Sequence, residues 1–254
     1  MTNTKIEKHE NTAQAIDSLS SLITKAGASL AGMAGIAYLY GSNYLTAYYS
    51  KIGAPWVMPL FSSEQIARQG LSGILLMVIA AICSVITLMN GNTSSEGLRK
   101  SGLRLGVISL LLILFTLAIP KTYISPLTER FLVFLSSMLF LFSAGVIAGL
   151  LISRLKDSKS QWKSDQILLL MLIYTISIAT TPSTLANSQA EADINFKDSG
   201  LPYALLDGDT STQWRLLRTF GDKVLIMHLT PSVKDRKFKL VATESLTINS
   251  IATQ

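Results

Sequence analysis

Residues Leu71–Met89 read LSGILLMVIAAICSVITLM, without one Asp, Glu, Lys, Arg or His. As a helix such a run is about as long as the hydrocarbon core of a bilayer is thick, roughly 30 Å. Four more stretches share the property: Gly27–Ala47, Leu105–Ile119, Phe131–Ile152 and Ile167–Ala186. A segment in lipid must satisfy its own backbone groups, which favours helices. The pattern therefore predicts a membrane all-α bundle of five transmembrane helices, with spans near 27–47, 71–89, 104–121, 131–152 and 167–186. The fifth reaches span length only by continuing through Pro182 to Ala186. If that proline ends it, four spans remain.

Composition agrees. Only 15% of the 254 residues are charged, against about 25% in soluble domains. The mean hydropathy is +0.40. The net charge of +6 would suit a nucleic-acid partner in a soluble protein, but the placement of the charges explains it better. With five spans, one side receives Lys5, Lys8, Lys25, Arg99, Lys100, Arg104, Arg154, Lys156, Lys159 and Lys163, and the other only Lys51, Arg68, Lys121 and Arg130. Cytoplasmic segments carry the Lys/Arg excess. The expectation is an inner (plasma) membrane protein with its N-terminus in the cytoplasm and its C-terminal domain outside. The first 24 residues are polar, with Ala13, Ile16, Leu19 and Ile23 at helical spacing, and read as a cytoplasmic amphipathic juxtamembrane segment rather than a cleaved signal.

Within the spans the informative residues are small or aromatic. Ala28/Gly32, Ala31/Gly35 and Gly145/Gly149 are small-x-x-x-small pairs that let helix backbones approach, inside one chain or between copies. Tyr40, Tyr44 and Tyr48 share one helix face with Asn43 nearby, and Trp56 follows. They read as an interface belt or as the wall of a polar pocket. The single cysteine, Cys83, reads as a packing residue. Asn90–Ser101 reads as a flexible cytoplasmic loop, and the outer connection Lys51–Trp56, rich in Gly and Pro, as a turn. Ser62-Ser63-Glu64-Gln65 has the form of a helix start.

The texture changes after Ala186. Residues 187–201 read as a linker, and 202–254 as a small all-β domain of four or five strands, an SH3-like-sized curled sheet or barrel. Val224, Ile226 and His228 alternate with Leu225, Met227 and Leu229, and Gly221-Asp222 is a two-residue hairpin signal. Trp214, Leu216 and Phe220 share parity, although Arg218 interrupts the set. So small a domain without disulfides is marginal alone and needs something to pack against.

Catalytic constellations are lacking in the sequence. Its two histidines, His9 and His228, lie outside the apolar stretches, and no His-Glu-x-x-His or glycine-rich phosphate loop occurs. Coupled transporters typically place Asp, Glu or Lys at membrane depth, and these stretches hold none. No catalytic, cofactor or metal-binding residue is therefore nominated, and no enzymatic activity is expected. The expected partners are the lipid bilayer, a second copy of the chain, and a protein reached through the β domain or the cytoplasmic loops. Two functions fit: a membrane sensor, anchor or interaction protein whose exported β domain signals through the helices, or an oligomeric pore or channel.

Overall fold

The computed structural model describes residues 31–91, 94–119, 125–156, 164–195, 199–206, 209–230, 232 and 235–249. The chain is mostly helical, with a C-terminal antiparallel sheet. Helix α1 covers 31–52. It is followed by α2 (Ser63–Met89), α3 (Ser95–Ala118), α4 (Pro126–Lys156) and α5 (Ser164–Asp193). Strands β1 (Tyr203–Leu206), β2 (Asp209–Phe220), β3 (Lys223–His228), β4 (Lys237–Ala242) and β5 (Leu246–Asn249) complete it. Ala28, the segment 1–24, Lys121, Tyr123, Lys159, Trp162 and Lys163 lie outside the described residues.

Local chemistry sets the helix ends. α1 stops because Gly53 takes φ +94. The amide of Ala54 then donates to Tyr49 O and that of Gly53 to Ser50 O, the paired bonds of a Schellman motif. Pro55 next opens a short 3-10 segment, Pro55–Leu60. Ser62 and Gln65 form a reciprocal capping box that starts α2.

α3 departs from expectation. Ser94 accepts from the Gly97 amide, so the helix begins at Ser95 within the segment read as a loop. The Glu96–Lys100 pair at 2.9 Å supports this first turn. Lys100, by hydrogen bond and charge, also lowers the Glu96 carboxyl below its ordinary value. α5 is the second departure. It passes through the buried Pro182 and runs on to Asp193, so Asn187–Asp193 is helix rather than linker. Thr180 and Thr184 hydroxyls bond back to carbonyls one turn earlier. Ala186, Ala190 and Ala192 are buried, and this tertiary packing outweighs the polar composition of the segment.

Among the described residues, two helices are long and apolar enough to cross a membrane, α2 and the Leu127–Ser153 part of α4, fewer than the five expected. α3 carries Glu96, Arg99, Lys100 and Arg104 in its first ten residues. α1 is rich in tyrosine and glycine, and the C-terminal half of α5 is polar. Large apolar side chains nevertheless face outward along all five helices, among them Leu39, Leu75, Ile82, Leu111, Phe134 and Leu172. Cys83 is exposed among them, so it does not fill an interhelical gap.

Contacts define the helix directions. α1 and α2 meet antiparallel at Gly41 and Gly70, where each backbone lies against the other. α3 and α4 are also antiparallel. Ser109 Oγ donates to Ser136 O at 2.6 Å and Ser143 Oγ to Gly102 O at 2.7 Å. α2 and α4 run parallel, with Gly145 against Met77 and Ala80, and Gly149 against Ala81 and Ser84. α5 is parallel to α1, since Tyr40 clusters with Tyr174 and Ile178 while Tyr48 reaches Asp193. The ends of α1 and α5 and the start of α2 therefore share one end of the bundle, and the sheet sits there.

The strand order is β4-β3-β2-β1-β5, every neighbour antiparallel. β4 and β5 occupy opposite edges, yet only Thr243–Ser245 separates them. Four Cα steps reach at most about 15 Å, while the edges of a flat five-stranded sheet lie about 19 Å apart. The sheet must curl. Its inner core is Ala204, Trp214, Val224 and Ile226. β3 is buried on both faces, because Leu225 on its outer face enters the core shared with α1, α2 and α5.

Candidate functional site

The site is the junction where the sheet meets the helix ends. Tyr49, Ile52, Val57 and Phe61 from α1 and the following connection form one buried cluster with Ile66, Ala186, Ala190 and Leu225. Phe61 packs edge-on against Phe220 with ring centroids 4.9 Å apart. Trp56, half exposed, packs edge-on against Phe238. The connection read as a turn at the membrane surface is thus wedged under the sheet.

Polar links run through this apolar cluster. Tyr48, one residue beyond the apolar stretch 27–47, donates its buried hydroxyl to Asp193 Oδ2 at 2.7 Å. Gln189 Nε2 donates to Asp193 Oδ1 at 2.9 Å, so both carboxylate oxygens are engaged. Burial first, and the Asp193 carboxylate next, push the Tyr48 phenol above its ordinary value, which keeps it a donor. Beside them Lys51 Nζ lies 2.9 Å from Glu191 Oε1, half exposed.

Two arginines reach from the sheet. Arg236 is buried, and its Nη1 donates to Ile52 O at 3.0 Å, while its Nε donates to Thr230 O at 3.4 Å. A cation on the last carbonyls of a helix also meets the negative end of its dipole. Burial lowers the Arg236 pKa from its ordinary value, but an arginine stays charged. Arg236→Met should keep much of the stem packing and leave the Ile52 carbonyl unpaired, at a cost of about 2 kcal/mol. Thermal unfolding in detergent measures this, and an unchanged Tm would remove Arg236 from the junction.

The second arginine, Arg218, faces the bundle because of a bulge. The ladder pairs Leu216 with Ile226 but Arg218 with Leu225, leaving Leu217 extra on β2. Parity flips there. Trp214 and Leu216 point to the inner core, Arg218 and Phe220 to the helices. Arg218 Nη1 donates to Gln69 Oε1 at 3.4 Å, and its guanidinium lies 5.3 Å from the Phe61 ring centroid.

Gln69 leads into a cavity of about 90 Å³ lined by Tyr40, Tyr44, Ser72, Gly73, Met138 and Leu185. Tyr40 is 3% exposed, with its ring seated on Gly73. Neither Tyr40 nor Tyr44 hydrogen-bonds through its hydroxyl to any described residue, whereas Tyr48 does. A larger groove of about 480 Å³ lies further along the helices, with Met33, Met77, Val85, Ala148, Ile152 and Tyr174 in its apolar walls.

The residues singled out in the sequence thus part company. Tyr40, Tyr44 and Tyr48 line the junction and its cavity, while Asn43 is exposed. Gly145 and Gly149 pack on α2. Ala31, Gly32 and Gly35 are exposed, and the space beside both glycines is open. The closest approach of α1 falls instead at Gly41, which with Ala37 makes another small-x-x-x-small pair. Asp193 was hidden in a segment read as linker, and Arg218 was visible only as a break in strand parity. Among the described residues no three His, Cys, Asp or Glu side chains gather as a metal site would need. Comparison with protein-family models, curated proteins and solved structures finds no match for this chain.

Proposed function

We propose that this chain is a multi-pass inner-membrane protein acting as a sensor, anchor or interaction protein. Its five helices cross the bilayer, the small half-barrel is held outside, and the helices carry its state to the cytoplasmic loops. The observation that supports this best is the core shared by Leu225 with Tyr49, Ile52, Phe61 and Ala190. A sheet tethered by a linker would move independently, whereas a sheet sharing buried side chains with three helix ends biases their packing. The alternating helix directions agree with a bundle threaded back and forth, and the outward apolar side chains suit lipid better than water.

The test has two parts. A reporter active only outside the cytoplasm should be active when fused after Gln254 and silent when inserted near Asn90. The reverse pattern would refute the orientation. Removing 199–254 should leave membrane insertion intact while changing protease accessibility at the turn near Asn90. If that accessibility is unchanged, the sheet does not communicate with the far end.

A further inference from the structure

We propose that the apolar groove along α1, α2 and α4 holds one acyl chain of an anionic phospholipid from the cytoplasmic leaflet. The inference rests on the helices crossing the bilayer with the N-terminus inside, and adds a lipid bound at a defined place. α1 and α2 meet backbone to backbone near Gly41 and Gly70, and the Tyr40 ring sits on Gly73. Nearer the N-terminus of α1, Met33 and Ile36 instead line an open groove of about 480 Å³. Ile74 and Ile86 of α2, Ile152 of α4 and Tyr174 of α5 complete its walls. Of the lining side chains only Tyr174 carries a nitrogen or oxygen, so the walls offer dispersion contacts and little for a polar guest.

The dimensions fit a single chain. From Ile74 to Ile86 along α2 is about 18 Å at the helical rise, and one leaflet of a hydrocarbon core is about 15 Å deep. At roughly 30 Å³ for each water-sized group, a volume of about 480 Å³ takes about sixteen methylenes. A helix from a second copy is too bulky, since a piece about 10 Å across and 15 Å long displaces about 1,200 Å³. Charge at the mouth selects the headgroup. α2 and α4 both end at the cytoplasmic face, so the Ile86 and Ile152 end of the groove lies towards it. In the sequence Lys25 precedes α1, and α2 is followed by the uncharged Asn90–Ser95. The stretch 154–165, which ends α4 and begins α5, carries Arg154, Lys156, Lys159 and Lys163 against Asp157 and Asp165. Lys156, the last residue of α4, comes about one turn after Ile152. This basic excess complements an anionic headgroup whose chain enters the groove.

The full chain, stripped of lipid in a neutral detergent, is titrated with dioleoyl-phosphatidylglycerol and, separately, with dioleoyl-phosphatidylcholine. Native mass spectrometry counts the lipids bound. One phosphatidylglycerol held saturably, at least about threefold tighter than phosphatidylcholine, supports the site. Ala148→Phe and Ile82→Trp each put a ring into the groove, from α4 and α2, and should weaken binding roughly tenfold or more. Ile82 is exposed, so its variant keeps the test valid if Ala148→Phe does not fold. Leu111→Phe, on an exposed face of α3 away from the groove, should bind as the unaltered chain does. A ladder of lipids that never saturates overturns the proposal, as does equal affinity for the two headgroups or unchanged binding in both groove variants. A dimer that holds no lipid also overturns it and gives the groove to a second copy. Failure here leaves the membrane reading standing, since the reporter fusions judge that separately.

Discussion

Replacing Gly41 by leucine is expected to prevent α1 from docking on the bundle. A Cβ at Gly41 would fall on the Ile66 carbonyl oxygen and close to the Gly70 amide, and one at Gly70 on the Ala37 carbonyl. Both obstacles are helix backbone, which cannot rotate away as a side chain can. The two helices would have to separate, taking Tyr40 off Gly73 and opening the cavity below the sheet. We expect a loss of more than about 3 kcal/mol, at or beyond the upper end for overpacked cores, seen as aggregation on size exclusion or a collapsed Tm. Gly35→Leu on the same helix is the control. Nothing lies within 4 Å of a Cβ there, so stability should hold. Equal behaviour of the two variants would contradict the crossing at Gly41.

The second large effect is expected at Asp193. Asp193→Ala removes the acceptor of the buried Tyr48 hydroxyl and the partner of Gln189, at a cost of about 3 kcal/mol. Tyr48→Phe alone leaves a buried carboxylate with one bond fewer, at about 2 kcal/mol. Because the two share one interaction, the double variant should lose clearly less than the sum of the singles. Additive losses would mean that the bond contributes nothing, and that α1 and α5 are held by apolar packing alone.

Much of the architecture was legible from local pattern. The period-two alternation from Pro202 onward, the Gly221-Asp222 turn and the serine cap before α2 each report a local preference that the fold respects. Gly221 does take a positive φ, +60, in a two-residue hairpin joining Phe220 to Lys223. Asn187–Asp193 misled because composition suggests a linker, while Ala186 and Ala190 bury one face of a helix that polar residues cover on the other. Arg218 misled because a single bulged residue reverses inside and outside for the rest of a strand, and a bulge leaves no compositional mark.

By itself, then, the sequence determined the elements: long apolar helices, a short β tail, and the charge asymmetry that predicts an orientation. These follow from burial and backbone satisfaction, which act along the chain and are written in its periodicity. Only the tertiary structure decided which small residues touch and where the tyrosines point. It also decided that the sheet closes over the ends of α1 and α5 rather than hanging from a linker. Gly41 and Gly32 are equivalent in composition, and Tyr38 and Tyr48 are the same side chain at either end of one helix. What separates them is the crossing of α1 over α2 at Gly70, a relation between residues far apart in the chain that no local pattern encodes.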